Sequence, residues 1–129
     1  MDRSLVWLFY YSALVVVMWV PYILNAFIVR GILPTLGNPQ PDAKPLSPWA
    51  QRAKLAHANA IENLVPFLAL MFLAHVTSAP VAGAAAVFFF ARLAHFIVYT
   101  LGIPYLRTLS FLAGFGAQVA IALQLLQHV

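Results

Sequence analysis

Residues 51–76 read QRAKLAHANAIENLVPFLALMFLAHV, and the change of character at Pro66 decides the fold. Before it stand Arg52, His57, Asn59, Glu62 and Asn63; after it the chain is apolar as far as His75. A helix that begins wet and ends in hydrocarbon is the start of a membrane span. Glu62 is one of only three acidic residues in the chain. A carboxylate at the edge of hydrocarbon is costly enough to mark a functional site unless a partner neutralises it.

The rest of the composition agrees with a membrane reading. Of 129 residues, 64% are hydrophobic and 8% charged, against about 25% charged in soluble domains. Each span needs about 20 apolar residues, so four spans fill most of the chain and leave short connections. A single all-α, integral membrane four-helix bundle with up-down topology is expected over residues 1–129. The absence of cysteine excludes disulfides, thiolate metal sites and a cysteine nucleophile, but leaves the compartment undecided. The net charge of +4 comes from basic residues scattered along the chain. They form no basic stripe, so no nucleic-acid partner is expected and the charge is read as setting topology.

Outward from residues 51–76, the punctuation gives four helices at about 5–29, 48–76, 81–101 and 105–127. Leu5 to Phe27 is longer than a signal-peptide core and lacks a convincing small-residue cleavage site, so a retained first span is expected. Pro21 predicts a kink within it. Residues 32–47, with Pro34, Pro39, Pro41 and Pro45, read as an irregular loop. Ser47-Pro48 reads as an N-cap followed by proline at the first helical position. Thr77 to Pro80 reads as a tight turn, and Gly102-Ile103-Pro104 as the break before the last helix. There, Ala113, Gly114, Gly116, Ala117 and Ala120 offer small surfaces for close helix approach. Arg30, Lys44, Arg52, Lys54 and Arg107 flank the first and third connections. The positive-inside rule therefore places those connections in the cytoplasm and both termini opposite, with a bacterial inner membrane as the expected location.

Periodicity then groups the polar residues. At about 100° per residue, Arg52, Asn59, Glu62, Asn63 and Pro66 fall within about 100° of one another, with His57 on a separate face. Arg92, His95 and Tyr99 share a stripe of the third helix; Arg107, Ser110, Phe111, Gly114 and Gln118 share one of the fourth. Lipid cannot satisfy such stripes, so they are expected to face a common interior. An ordinary structural account also exists for each. Glu62 and Arg92 could form an internal ion pair, the asparagines could join helices, and Arg107 could be a topology anchor. His75 and His128 are read as incidental, and no spacing here suggests a metal site. One carboxylate, amides and several arginines suit a small zwitterion with more carboxylates than amines, the arginines clamping carboxylates and Glu62 an ammonium. Glutathione fits that inventory; an amino-acid-like or phosphorylated ligand fits nearly as well.

Arg52–Phe67 (RAKLAHANAIENLVPF), Ala91–Tyr99 (ARLAHFIVY) and Tyr105–Thr108 (YLRT) together resemble the membrane-associated proteins in eicosanoid and glutathione metabolism, the MAPEG family. The helix plan and motif spacing extend the likeness over most of the chain. The resemblance implies a homotrimer binding glutathione, as co-substrate, between neighbouring subunits near the cytoplasmic side. A lipophilic second substrate would arrive from the membrane lipid between the first and fourth helices. By position, Asn59, Glu62, His95 and Tyr99 match glutathione contacts, and Arg107 matches the arginine assigned to the thiolate. Thr108 stands where the prostaglandin synthase of the family has serine, and Arg30 matches a basic residue ending the first helix. Arg52 and Arg92 join the binding set from their stripes. His57 matches a common motif histidine that is not assigned to catalysis. Ala58 and Phe111 depart from the prostaglandin synthase pattern, where arginine and tyrosine stand. The Asn59-x-x-Glu62-Asn63 form is closer to the microsomal glutathione transferases. A transferase or peroxidase is therefore the expected activity. The rivals are a catalytically silent relative and a small four-helix transporter that uses Glu62.

Overall fold

The computed structural model describes residues 2–129. It contains helices α1 (Arg3–Val17), α2 (Trp19–Arg30), α3 (Ile32–Leu36), α4 (Pro48–Thr77), α5 (Ala82–Leu101) and α6 (Pro104–Leu126), and no strand among the described residues. Four helical segments are long and apolar enough to cross a membrane: Arg3–Arg30, which joins α1 and α2, then α4, α5 and α6. The fold is the all-α membrane bundle expected from composition.

The first span breaks at Met18, whose N–H reaches back only to the Val15 carbonyl at 3.4 Å. The cause is Pro21. It lacks the N–H that would bond the Val17 carbonyl, and its ring crowds that oxygen, so the disturbance falls one turn before the proline. Two other local expectations need correction. Residues 32–36 form the short helix α3 instead of irregular loop; Pro34 is accommodated because it stands in the first turn, where N–H groups have no helical partner. Ser47 does occupy the N-cap position of α4, but its side chain makes no cap bond. Instead its hydroxyl accepts from Asn25 Nδ2 and its N–H donates to Asn25 Oδ1, both at 2.9 Å. This pair ties the start of α4 to the buried face of α2.

The core is aromatic. Phe67 of α4 stacks on Phe88 of α5 with centroids 3.9 Å apart, and Tyr11 of α1 meets Phe88 edge-on at 4.8 Å. The Tyr11 hydroxyl donates to the Ala60 carbonyl at 2.7 Å. Ala53, Ala56, Ala60, Met71 and Ala74 complete one buried stripe of α4. The turn before Pro66 draws further donors: Asn63 Nδ2 reaches the Asn59 carbonyl at 2.8 Å and Gln118 Nε2 the Asn63 carbonyl at 3.2 Å. Side chains thus add bonds to carbonyls of the helical turn just before the intramembrane proline.

Helices α4 and α5 are the central pair. Both pack against α1 and α6, whereas α1 and α6 are not adjacent and α2 packs on α4. Of the small residues in α6, Gly114 and Ala117 are buried, and a Cβ at Gly114 would stand 3.2 Å from Arg92 Cδ. Gly116 faces open space. At the opposite end, Asp2 caps α1 by accepting from the Ser4 N–H at 3.0 Å, and its other oxygen lies 3.5 Å from His75 Nδ1. His75 thus has an acidic neighbour on the surface.

Candidate functional site

The polar stripe of α4 divides on folding. His57 lies on the flank toward the first span, where its Nε2 faces the Val15 carbonyl at 3.1 Å and its Nδ1 faces the Tyr22 hydroxyl at 2.8 Å. A carbonyl only accepts, so Nε2 carries the proton and Tyr22 donates to Nδ1. This histidine bridges the two sides of the Met18 break. Asn59 and Asn63 lie on the other flank, toward α5 and α6, whereas Glu62 is exposed on the outer face, beside exposed Leu55, Ile61 and Val65.

Glu62 and Arg92 do not pair. Arg92 is 2% exposed, and its Nη2 donates to Asn59 Oδ1 at 2.7 Å. Its Nε and Nη1 are buried without a hydrogen-bond partner. Among the described residues the one ion pair is His75–Asp2, so the internal ion-pair account of Glu62 is overturned. The reason is angular. Asn59 falls on the inward side of the stripe and meets the third span, and Glu62 falls on the outward side.

A groove of about 250 Å³ is lined by Asn59, His95, Tyr99, Arg107, Thr108 and Phe111. Asn59 comes from α4, His95 and Tyr99 from successive turns of α5, and the rest from the first two turns of α6. The Gly102 turn makes this convergence possible. Gly102 has φ +80°, a left-handed C-terminal cap that folds α6 back along α5. The Arg107 guanidinium lies 4.9 Å from the centre of the Tyr99 ring, within cation–π range, and Tyr99 meets the His95 ring edge-on at 5.4 Å. His95 is buried, with Nδ1 unpartnered. Thr108 is exposed, and its hydroxyl makes only a 3.5 Å contact with the Pro104 carbonyl.

Arg52 adjoins this groove. Its Nε donates to the Thr100 carbonyl at 3.1 Å, capping the end of α5, and it lines a smaller hollow with Tyr99 and Arg107. A Cβ at Gly102 would meet its guanidinium at 3.1 Å. This dependence of Arg52 on Gly102 and Thr100 was missed by motif reading, which took Gly102 only as a helix break; glycine directly after a helix is the signal for such a cap. Arg30 lies elsewhere. Its Nε donates to the Lys44 carbonyl at 2.6 Å, and it lines a groove with Lys54 and Ala58 along the outer face of α4. Of the nine candidate residues, then, five line one groove, Arg52 adjoins it and Arg92 is buried behind Asn59. Arg30 and Glu62 lie apart.

The four-span bundle and its cationic groove at the α5–α6 turn define a class of small multi-pass membrane proteins that carry polar chemistry at one membrane face. The MAPEG family model matches residues 3–127, and the chain belongs to the MAPEG family. Comparison with curated proteins gives no match.

Proposed function

We propose that this protein is a membrane-bound glutathione transferase, with hydroperoxide reduction as a second activity of the same thiolate. The observation that carries the reading is the exposed Arg107 guanidinium, held over Tyr99 at 4.9 Å beside a groove that also offers Asn59, His95 and Thr108. A free thiol has a pKa of about 8.5 and is mostly protonated at neutral pH. A cation within about 4–6 Å of sulfur favours the thiolate. The thiol proton leaves to solvent, the sulfur forms a bond to an electrophilic carbon, and the leaving group departs with its electron pair. With a hydroperoxide, the thiolate takes the terminal oxygen and releases the alcohol. A second glutathione then displaces the oxygen as water and forms the disulfide.

The separation of Glu62 and Arg30 from the groove supports a homotrimer. An exposed carboxylate among apolar side chains is costly in lipid. A neighbouring copy that brings its α5–α6 groove against this face would give Glu62 a ligand ammonium and would complete the set of contacts. The lipophilic substrate would then arrive between the first span of one subunit and the fourth of another. Arg30, Arg52 and Arg107 all stand at one end of the bundle, which the positive-inside rule assigns to the cytoplasm.

The test is purified protein assayed with glutathione against an aryl halide and a lipid hydroperoxide, alongside absorbance of the bound thiolate. Turnover together with a thiolate signal is expected. Glutathione binding with neither would show a catalytically silent relative. Proton flux in liposomes without glutathione binding would favour a transporter.

A further inference from the structure

A hollow bordered by charges of both signs lies outside this site, between the end of α2 and the first connection. It measures about 330 Å³, and its lining includes Arg30, Thr35, Gln40, Asp42 and Lys44. The 2.6 Å bond from Arg30 Nε to the Lys44 carbonyl fixes the guanidinium in the wall. Two cations and one carboxylate border the same space, yet Asp42 pairs with neither cation; among the described residues the one ion pair is His75–Asp2. Opposite charges held apart around a hollow suit a zwitterion whose own charges are separated.

Position in the membrane identifies the source of that zwitterion. The first span has 28 residues, about 42 Å at 1.5 Å per residue. A bilayer including its headgroups is about 40–45 Å thick, so the Arg30 end stands at headgroup level. The surroundings are apolar where a water-facing site would not need them. Ile32, Leu33 and Leu36 of α3 are all more than half exposed, and so are Leu24 and Ile28 on α2. A short helix with such a face lies in the interface, and α2 carries apolar surface downward from it.

We propose that this hollow seats the phosphoethanolamine headgroup of a membrane phospholipid. Lys44 holds the phosphate, with the Arg30 guanidinium adding its charge at the rim, Asp42 holds the ammonium, and the acyl chains descend along α2. Phosphocholine has no N–H to donate to Asp42, and phosphoglycerol has no ammonium. Arg30 also lines the groove along α4, so the lipid sits beside the outer face that carries Glu62.

The test is native mass spectrometry of the full chain in detergent with added phosphatidylethanolamine, phosphatidylcholine, phosphatidylglycerol or chain-free glycerophosphoethanolamine. Wild type is expected to retain phosphatidylethanolamine in preference to the other three. Lys44→Ala should lower that occupancy about tenfold, the scale of one charge-assisted contact, and Lys44→Arg should restore it. Asp42→Asn should still bind lipid but lose the preference for ethanolamine over choline. Unchanged occupancy in Lys44→Ala would overturn the proposal. So would equal binding of phosphatidylcholine or phosphatidylglycerol to wild type, or competition by glycerophosphoethanolamine as effective as the intact lipid.

Discussion

The two flanks of α4 carry similar side chains to opposite ends. On the flank facing the first span, His57 has both ring nitrogens engaged, and Asn25 and Ser47 exchange two bonds. On the flank facing α5 and α6, Arg92 keeps two buried nitrogens without partners, as do His95 at Nδ1 and Thr100 at its hydroxyl. Buried polar groups are nearly always satisfied, and each exception calls for an explanation. The first flank is closed and structural. The second carries buried polar atoms that the chain's own residues do not partner, and it is the flank bordering the groove. Polar content alone does not distinguish them; satisfaction does.

Substitutions can break this contrast, and the largest effect should come from the open flank. Arg107→Ala is expected to lower glutathione conjugation about 100-fold, the usual cost of removing a group aimed at developing charge, while glutathione still binds by equilibrium dialysis. Wild-type turnover in that variant would sink the thiolate role. Asn59→Leu removes the hydrogen-bond acceptor of buried Arg92. It should cost about 2–3 kcal/mol, the desolvation penalty of an abandoned charged donor, read by thermal unfolding in detergent. Adding Arg92→Met should recover most of that loss; if it does not, Asn59 acts through packing alone.

The closed flank should respond in stability only. His57→Leu leaves the Tyr22 hydroxyl and the Val15 carbonyl without their partner, worth about 1–2 kcal/mol, with glutathione affinity unchanged. A change in affinity would mean that the two flanks are coupled. Gly102→Ala imposes a left-handed conformation on an L residue and presses Cβ toward Arg52. About 1 kcal/mol of stability should be lost, and ligand binding should weaken with it as Arg52 shifts.

The smallest effect lies at the far end of the bundle. The Ser4 backbone N–H and then its hydroxyl hold the Asp2 carboxyl below its ordinary value of 3.8. A lowered carboxyl stabilises the folded state fully above that ordinary value and ceases to do so as pH falls through the lowered one. Hydrogen exchange of the first α1 turn should therefore accelerate as pH falls below 3.8, and Asp2→Asn should remove that dependence. A pH profile unchanged by Asp2→Asn would show that the cap does not hold the turn.

Much of this was legible in the residues. Apolar runs and Pro and Gly breaks located four spans because hydropathy and helix termination are local properties. The motif around Asn59 and Glu62 and the one around His95 and Tyr99 located the polar surfaces. Less visible was the short α3, since the prolines of residues 32–47 masked a first-turn position where Pro34 is harmless. The bond between Arg52 and the Thr100 carbonyl was equally hidden, because it joins residues 48 apart.

By itself, then, the sequence determined a four-span membrane bundle and the helix face on which each polar residue stands, because 3.6-residue periodicity depends only on the chain. It grouped Arg52, Asn59, Glu62 and Asn63 as one stripe. Only the tertiary structure decided that Asn59 turns inward to Arg92 while Glu62 turns outward, and that the first and fourth spans lie on opposite sides of the α4–α5 pair. A stripe about 100° wide straddles the boundary between buried and exposed surface, and where that boundary falls is set by the neighbouring helices.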